Sequence, residues 1–162
     1  MGIRKRVIGV VGASVCSNEI SKIAEEVGRE IARRGAVLIC GGLGGVMESA
    51  CKGAKEAGGL TIGVLPSKER RSANPYVDLP IATGFGEGRN VIIVHSCDGI
   101  IAISGQYGTL SEIAFALNLG LPIVGISTWE IDVPIVRAKG AKEAVDLLFD
   151  KISTQRSAFR SG

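Results

Sequence analysis

Three times in this chain a short, unbroken apolar run gives way to a turn of small residues and then to apolar positions at helical spacing. Val7 to Val11 runs into Gly12-Ala13-Ser14, Ala36 to Cys40 into Gly41-Gly42-Leu43-Gly44-Gly45, and Gly99 to Ile103 into Gly105 to Gly108. A strand that is apolar along its whole length must be covered on both faces, which is the signature of a parallel sheet between layers of helices. Each return to the sheet is then a right-handed crossover.

The intervening segments fit that scheme. From about Ser17, the residues Ile20, Ile23, Ala24, Val27 and Ile31 recur at helical spacing until Gly35, and Val46 to about Ala57 forms a second helix ending at Gly58-Gly59. Leu60 to Leu65 reads as a third strand, Ser67 to Asn74 as a charged surface loop, and Tyr76 to Thr83 as a short strand that Pro80 places at an edge. Gly86 to Ser96 suits a partly buried helix and Thr109 to Asn118 another. Leu121 to Ile126 reads as a strand, Pro134 to Arg137 as a short strand, and Ala141 to Ile152 as an amphipathic helix. The residues from Ser153 are polar and aperiodic, and are expected to fray. With 162 residues, 46% of them hydrophobic, the chain suits one well-buried domain over 1–162. The predicted fold class is α/β: a Rossmann-like three-layer αβα arrangement with a mainly parallel sheet.

Charge and side-chain chemistry exclude several classes. The net charge of +3 comes from the ends, in Arg4, Lys5, Arg6, Arg156 and Arg160, so no nucleic-acid-binding face is expected. Cys16, Cys40, Cys51 and Cys97 form no C-x-x-C pair and His95 is the only histidine, so no metal site is expected and the thiols read as reduced and mostly buried. The apolar runs are strand-length and no signal-like segment precedes Val7, which predicts a cytoplasmic protein without membrane association.

In sheets of this kind ligands bind beyond the carboxyl ends of the strands, which selects the turns after Val11, Cys40 and Ile103. Two of them share a spacing, Gly41-x-x-Gly44-x-x-x-Glu48 and Gly105-x-x-Gly108-x-x-x-Glu112. Glycines there let backbone approach a ligand, and the N–H groups and positive dipole end of the following helix favour an anion such as phosphate. The two helix starts together would form one electropositive pocket. The alternative is that the glycines only permit tight turns. Thr109-x-x-Glu112 equally reads as a capping box, with the glutamate closing its own helix start, and Glu48 gains from the dipole of its helix in the same way. Arg89, in Gly86-Glu87-Gly88-Arg89-Asn90, has the geometry to grip a phosphate through two nitrogens, or else forms a surface ion pair with Glu87 or another acid.

Other chemistries lack their motifs. Gly42-Leu43-Gly44-Gly45-Val46-Met47 has no third glycine of the dinucleotide fingerprint and does not follow the first strand, which argues against hydride transfer. There is no G-x-x-x-x-G-K-[ST] for ATP hydrolysis and no G-x-S-x-G elbow for a serine hydrolase.

Gly41-Gly42-Leu43-Gly44-Gly45-Val46-Met47 and Ser104-Gly105-Gln106-Tyr107-Gly108-Thr109-Leu110-Ser111-Glu112, with Arg89 ahead of the second, resemble the Lonely Guy superfamily. That superfamily includes cytokinin-activating phosphoribohydrolases, often mislabelled lysine decarboxylases, and molybdenum cofactor carrier proteins. The resemblance covers most of the chain, from Gly12-Ala13-Ser14 to Ile126. In the phosphoribohydrolases the second motif is P-G-G-x-G-T-x-x-E: Gly105, Gly108, Thr109 and Glu112 match it, while Ser104 replaces the proline and Gln106 the second glycine. Arg89 stands where the family has its catalytic arginine, within M-H-x-R-K, but Glu87 occupies the histidine's place and Asn90 the lysine's.

These departures point away from hydrolysis and leave phosphate binding intact, and the Arg89-Asn90 pair resembles the carrier branch. The resemblance therefore implies a protein that binds a phosphorylated, nucleotide-like ligand, either AMP-like or a molybdopterin, with no further cofactor required. Its binding residues would be Gly12, Ser14, Gly41, Gly42, Gly44, Gly45, Arg89, Asn90, Gly105, Gly108 and Thr109. The alternative is a phosphoribohydrolase that cleaves the N-glycosidic bond of a nucleoside 5′-monophosphate, with Glu112 stabilising an oxocarbenium-like transition state or orienting the water and Arg89 holding phosphate and ribose. A third is a regulatory module that senses a nucleotide. Nothing points to lysine decarboxylation. The family's assemblies imply a homodimer or homotetramer, with the helices Val46 to Ala57 and Thr109 to Asn118 as candidate interfaces.

Overall fold

The computed structural model describes residues 4–160. Seven strands form one sheet: β1 (Val7–Gly12), β2 (Val37–Cys40), β3 (Thr61–Leu65), β4 (Leu79–Ala82), β5 (Gly99–Ile103), β6 (Ile123–Ile126) and β7 (Val136–Arg137). Their order is β4-β3-β2-β1-β5-β6-β7 and every pairing is parallel. The helices are α1 (Asn18–Arg33), α2 (Val46–Glu56), α3 (Arg89–His95), α4 (Tyr107–Asn118) and α5 (Ala141–Arg160). They form two outer layers, so the fold is the three-layer, Rossmann-like α/β arrangement.

The core divides by sheet face. Ile8, Val10, Leu38, Ile101 and Ile103 pack under α1, α2 and α5, whereas Val11, Ile39, Val64, Ile100 and Ala102 pack under α3 and α4. Alternate residues of one strand serve opposite layers, which is why β1, β2 and β5 carry no polar positions. On the first face α1 and α2 touch backbone to backbone: a Cβ on Gly53 would collide with the Glu25 carbonyl, and one on Gly28 with that of Ala50.

Several boundaries differ from the sequence expectation. Gly86–Gly88 is a 3-10 turn, and α3 begins only at Arg89. Helix α4 starts two residues early, at Tyr107, with Gln106 at its N-cap, so Thr109 is an interior residue and the capping-box reading of Thr109 and Glu112 fails. Helix α5 continues past Ile152 to Arg160, where fraying from Ser153 was expected. Among the described residues no helix is long and apolar enough to cross a membrane, and no group of three or more metal-ligating side chains occurs. Cys40, Cys51 and Cys97 are buried free thiols, with Cys16 partly buried.

Candidate functional site

The chain winds outward from β1 through β2, β3 and β4, then returns to place β5 on the other side of β1. The carboxyl ends of β1 and β5 therefore diverge into opposite crossovers and leave a crevice between them. A cavity of about 230 Å³ occupies it. Val10 to Ser14 form one wall, Gln106, Gly108, Thr109 and Glu112 the other, with Glu87, Arg89 and Asn90 entering from the start of α3 and Leu43 and Met47 from the turn into α2.

Arg89 dominates the electrostatics. It is 5% exposed, and its Nε is buried without a hydrogen-bond partner. Among the described residues no acid forms an ion pair with it, so the surface pair with Glu87 does not exist. Glu87 instead accepts from Asn90 Nδ2 at 3.3 Å, and the same amide donates to Ser111 Oγ at 3.1 Å. Those bonds hold the 86–90 turn against the first turn of α4. A buried guanidinium lacking a counter-ion is costly and so marks a place for an anion.

Glu112, 6% exposed, faces the same cavity from α4. Burial pushes its carboxyl up to about 8; the Arg89 charge pulls against that shift and Glu87 adds to it. The Glu112 carboxyl is thus mainly protonated at neutral pH, and can donate a hydrogen bond to an anion that a carboxylate would repel.

The two helix starts are not equivalent. The Val46 N–H, first in α2, donates to the Ala13 carbonyl at 3.0 Å, and Gly45 lies directly beneath Ala13 and Ser14. The β1–α1 turn thereby takes up the leading amide of α2, a helix that, like α4, has no side-chain cap. Helix α4 has no side-chain cap, and its first turn borders the cavity through Gly108 and Thr109. Its leading amides have no intrahelical partner and are available to an anion in the cavity that Arg89 also lines.

Of the residues singled out in the sequence, Gly12, Ser14, Arg89, Asn90, Gly108, Thr109 and Glu112 line one cavity. Gly41, Gly42, Gly44, Gly45 and Gly105 lie behind it. Gly41 supports Arg89, Gly105 packs on Thr109, and Gly42 and Gly45 make left-handed turns at φ +74° and +61°. Leu43, Met47, Glu87 and Gln106 also line the cavity. Glu87 was legible through its place in the arginine segment; nothing in the spacing marked Leu43, Met47 or Gln106.

Comparison with known proteins places this geometry. A model of the SLOG cluster4 family matches residues 5–155. The structure of a molybdenum cofactor binding protein from Rippkaea orientalis superposes with a TM-score of 0.88 at 37% identity, covering 93% of this chain and 99% of that one. The molybdenum cofactor carrier protein of Chlamydomonas reinhardtii gives a TM-score of 0.82 at 34% identity, over 93% and 99% of the two chains. A cytokinin riboside 5′-monophosphate phosphoribohydrolase from Mycobacterium tuberculosis is 35% identical over 127 residues, 72% of this chain and 67% of the relative.

Proposed function

This chain belongs to the SLOG cluster4 family, within the Lonely Guy and molybdenum cofactor carrier-like superfamily, and on that basis we propose that it binds a phosphorylated, nucleotide-like small molecule as a carrier. The observation that carries the reading is Arg89: a buried guanidinium with no counter-ion, facing a cavity onto which a helix start opens. A phosphate there gains a charge-assisted pair with Arg89, backbone donors at Gly108 and Thr109, and a hydrogen bond from neutral Glu112. The carrier neighbours favour a molybdopterin-type phosphate as the cargo; an AMP-like nucleotide presents the same phosphate chemistry.

The second reading is hydrolysis of a nucleoside 5′-monophosphate, favoured by the phosphoribohydrolase relative and by the acid opposite Arg89. In that reaction Glu112 would sit near the glycosidic bond, stabilising positive charge on the ribose or orienting water. Two features favour binding without cleavage. The Glu112 carboxyl is largely neutral at pH 7, which weakens it as a partner for a developing cation, and the place of the family's histidine is held by Glu87.

We also propose self-association as a homodimer or homotetramer. The small-residue face of α2 is taken up by α1, whereas α4 leaves Phe115 and Leu119 part-exposed, so α4 is the interface candidate that remains.

The deciding experiment incubates the protein with AMP and with a pterin monophosphate, follows release of free base by chromatography, and records ligand-induced thermal stabilisation. The expected result is stabilisation without base release, weakened in Arg89→Ala. Base release abolished by both Arg89→Ala and Glu112→Gln would overturn the carrier reading in favour of hydrolysis. Ligand-dependent assembly without turnover would favour a sensor.

A further inference from the structure

We propose that Tyr107, backed by Trp129, is a shelf on which the planar nitrogen heterocycle of the ligand stacks while its phosphate sits at Arg89. The inference rests on the phosphate-binding reading of the cavity and adds where the remainder of the ligand lies.

Size requires such a place. At about 230 Å³ the cavity is smaller than the roughly 300–1,000 Å³ typical of small-molecule pockets, so it takes a phosphate with its sugar or linker and leaves the ring system over the rim.

Apolar exposure is greatest close in the chain to the residues that line the cavity. The three most exposed large hydrophobic side chains among the described residues are Tyr107 at 82%, Val15 at 81% and Phe85 at 69%. None of the three lines the cavity itself, but Tyr107 lies between Gln106 and Gly108, which do, Val15 follows Ser14, and Phe85 precedes Glu87 by two positions. The other exposed large apolar side chains, Leu60, Leu79, Ile81, Phe115 and Leu119, are roughly half as exposed. In a chain only 4% aromatic, a ring 82% exposed at the start of the helix that lines the cavity calls for an occupant.

Tyr107 is also held in place. Its ring lies 6.0 Å from that of Trp129 at a tilt of 31°, and Trp129 Nε1 donates to the carbonyl of Gln106, the N-cap of α4, at 3.2 Å. The phenol thus loses little freedom when a ring covers it. It is the first residue of the same helix, one and two positions before Gly108 and Thr109, which line the anion site. Stacking of a base on such a ring tightens binding by roughly five- to a hundredfold.

The test is a titration of the wild type, Tyr107→Ala and Tyr107→Phe with AMP, a pterin monophosphate and ribose 5-phosphate, reading Kd by calorimetry. Trp129 is the sole tryptophan, so its emission reports on the shelf. Expected is a loss of roughly tenfold or more in Kd for the heterocyclic ligand in Tyr107→Ala, retention in Tyr107→Phe, and an unchanged Kd for ribose 5-phosphate in all three. Trp129 emission should respond to the heterocyclic ligand and not to ribose 5-phosphate. If Tyr107→Ala leaves the heterocyclic Kd unchanged, or weakens ribose 5-phosphate equally, the shelf is refuted and the phosphate site stands. If the substitution alters subunit association and not affinity, the rim is a contact between copies and the proposal falls. If nothing in the panel, ribose 5-phosphate included, binds the wild type, the phosphate-binding reading itself fails.

Discussion

The guanidinium of Arg89 lies directly on the Cα of Gly41: a Cβ there would collide with Nη1 and stand 2.8 Å from Cζ. A glycine that the sequence suggests for backbone contact with a ligand is instead the seat of the residue that would make that contact.

Gly41→Ala should therefore act as a milder Arg89→Ala. Loss of a hydrogen-bonded charge pair costs about 1.5–3 kcal/mol, so Arg89→Ala should weaken ribose 5-phosphate binding by roughly ten- to a hundredfold. Gly41→Ala should weaken it through displacement of the same group, and the double variant should be no weaker than Arg89→Ala alone. Additive losses measured by calorimetry would show that Gly41 acts independently of Arg89.

The raised pKa of Glu112 makes stability fall as pH rises. A carboxyl near 8 in the folded chain and about 4.3 unfolded holds, between those values, a proton that the unfolded chain releases. Stability is then lost progressively from about pH 4.5 to 8 and is level above. Glu112→Gln removes that dependence, and at pH 9 should melt higher than the wild type by roughly 10 °C, with the two alike near pH 4. Parallel melting curves across that range would rule out a buried, neutral Glu112.

Anion binding should follow the same titration. As Glu112 ionises above about pH 8 it opposes a phosphate at Arg89, so wild-type affinity for ribose 5-phosphate should drop between pH 7 and 9. Glu112→Gln should flatten the profile. A wild-type Kd constant over that interval would place the phosphate away from Glu112.

Ser104 stands where the phosphoribohydrolase motif has proline, and its backbone explains why proline is absent. It adopts φ 52°, and its N–H donates to the Ile126 carbonyl at 3.0 Å. Proline permits neither. Ser104→Pro should destabilise the fold by about 3 kcal/mol or more, whereas Ser104→Gly, free of the left-handed penalty, should be neutral or slightly stabilising in urea unfolding.

The α1–α2 contact has no room for a methyl. Gly53→Ala would drive a Cβ into the Glu25 carbonyl, whose carbon would lie 2.7 Å away, so the helices must separate. A loss of about 1–3 kcal/mol, read as a lowered Tm, is expected.

The central strands were legible because burial on both faces leaves a continuous apolar run, and β5 was placed to the residue. Element ends were not, where local chemistry was ambiguous. Tyr107 and Gly108 are poor helix formers, yet α4 begins with them, since Gln106 is in extended backbone and supplies the first carbonyl to Leu110. The polar 153–160 segment lacks the period that marks a helix, and continues α5 all the same. In the site, glycine spacing and Arg89 led to residues that the structure brings together at one crevice. The partnering of Arg89 was hidden, because its seat at Gly41 is 48 positions away and arginine is seldom so buried. The bond that takes up the Val46 amide was hidden likewise, since it depends on the Ala13 carbonyl from another crossover.

That bond from Val46 to Ala13 ties the turn after β1 and the turn after β2 into one rigid jaw. The facing jaw, the 86–90 turn with the first turn of α4, is pinned internally by Asn90 and keeps its leading amides open. Adjustment to a ligand therefore falls on one side: amide exchange at Gly108 and Thr109 should slow on binding, while that at Val46, already bonded, should hardly change.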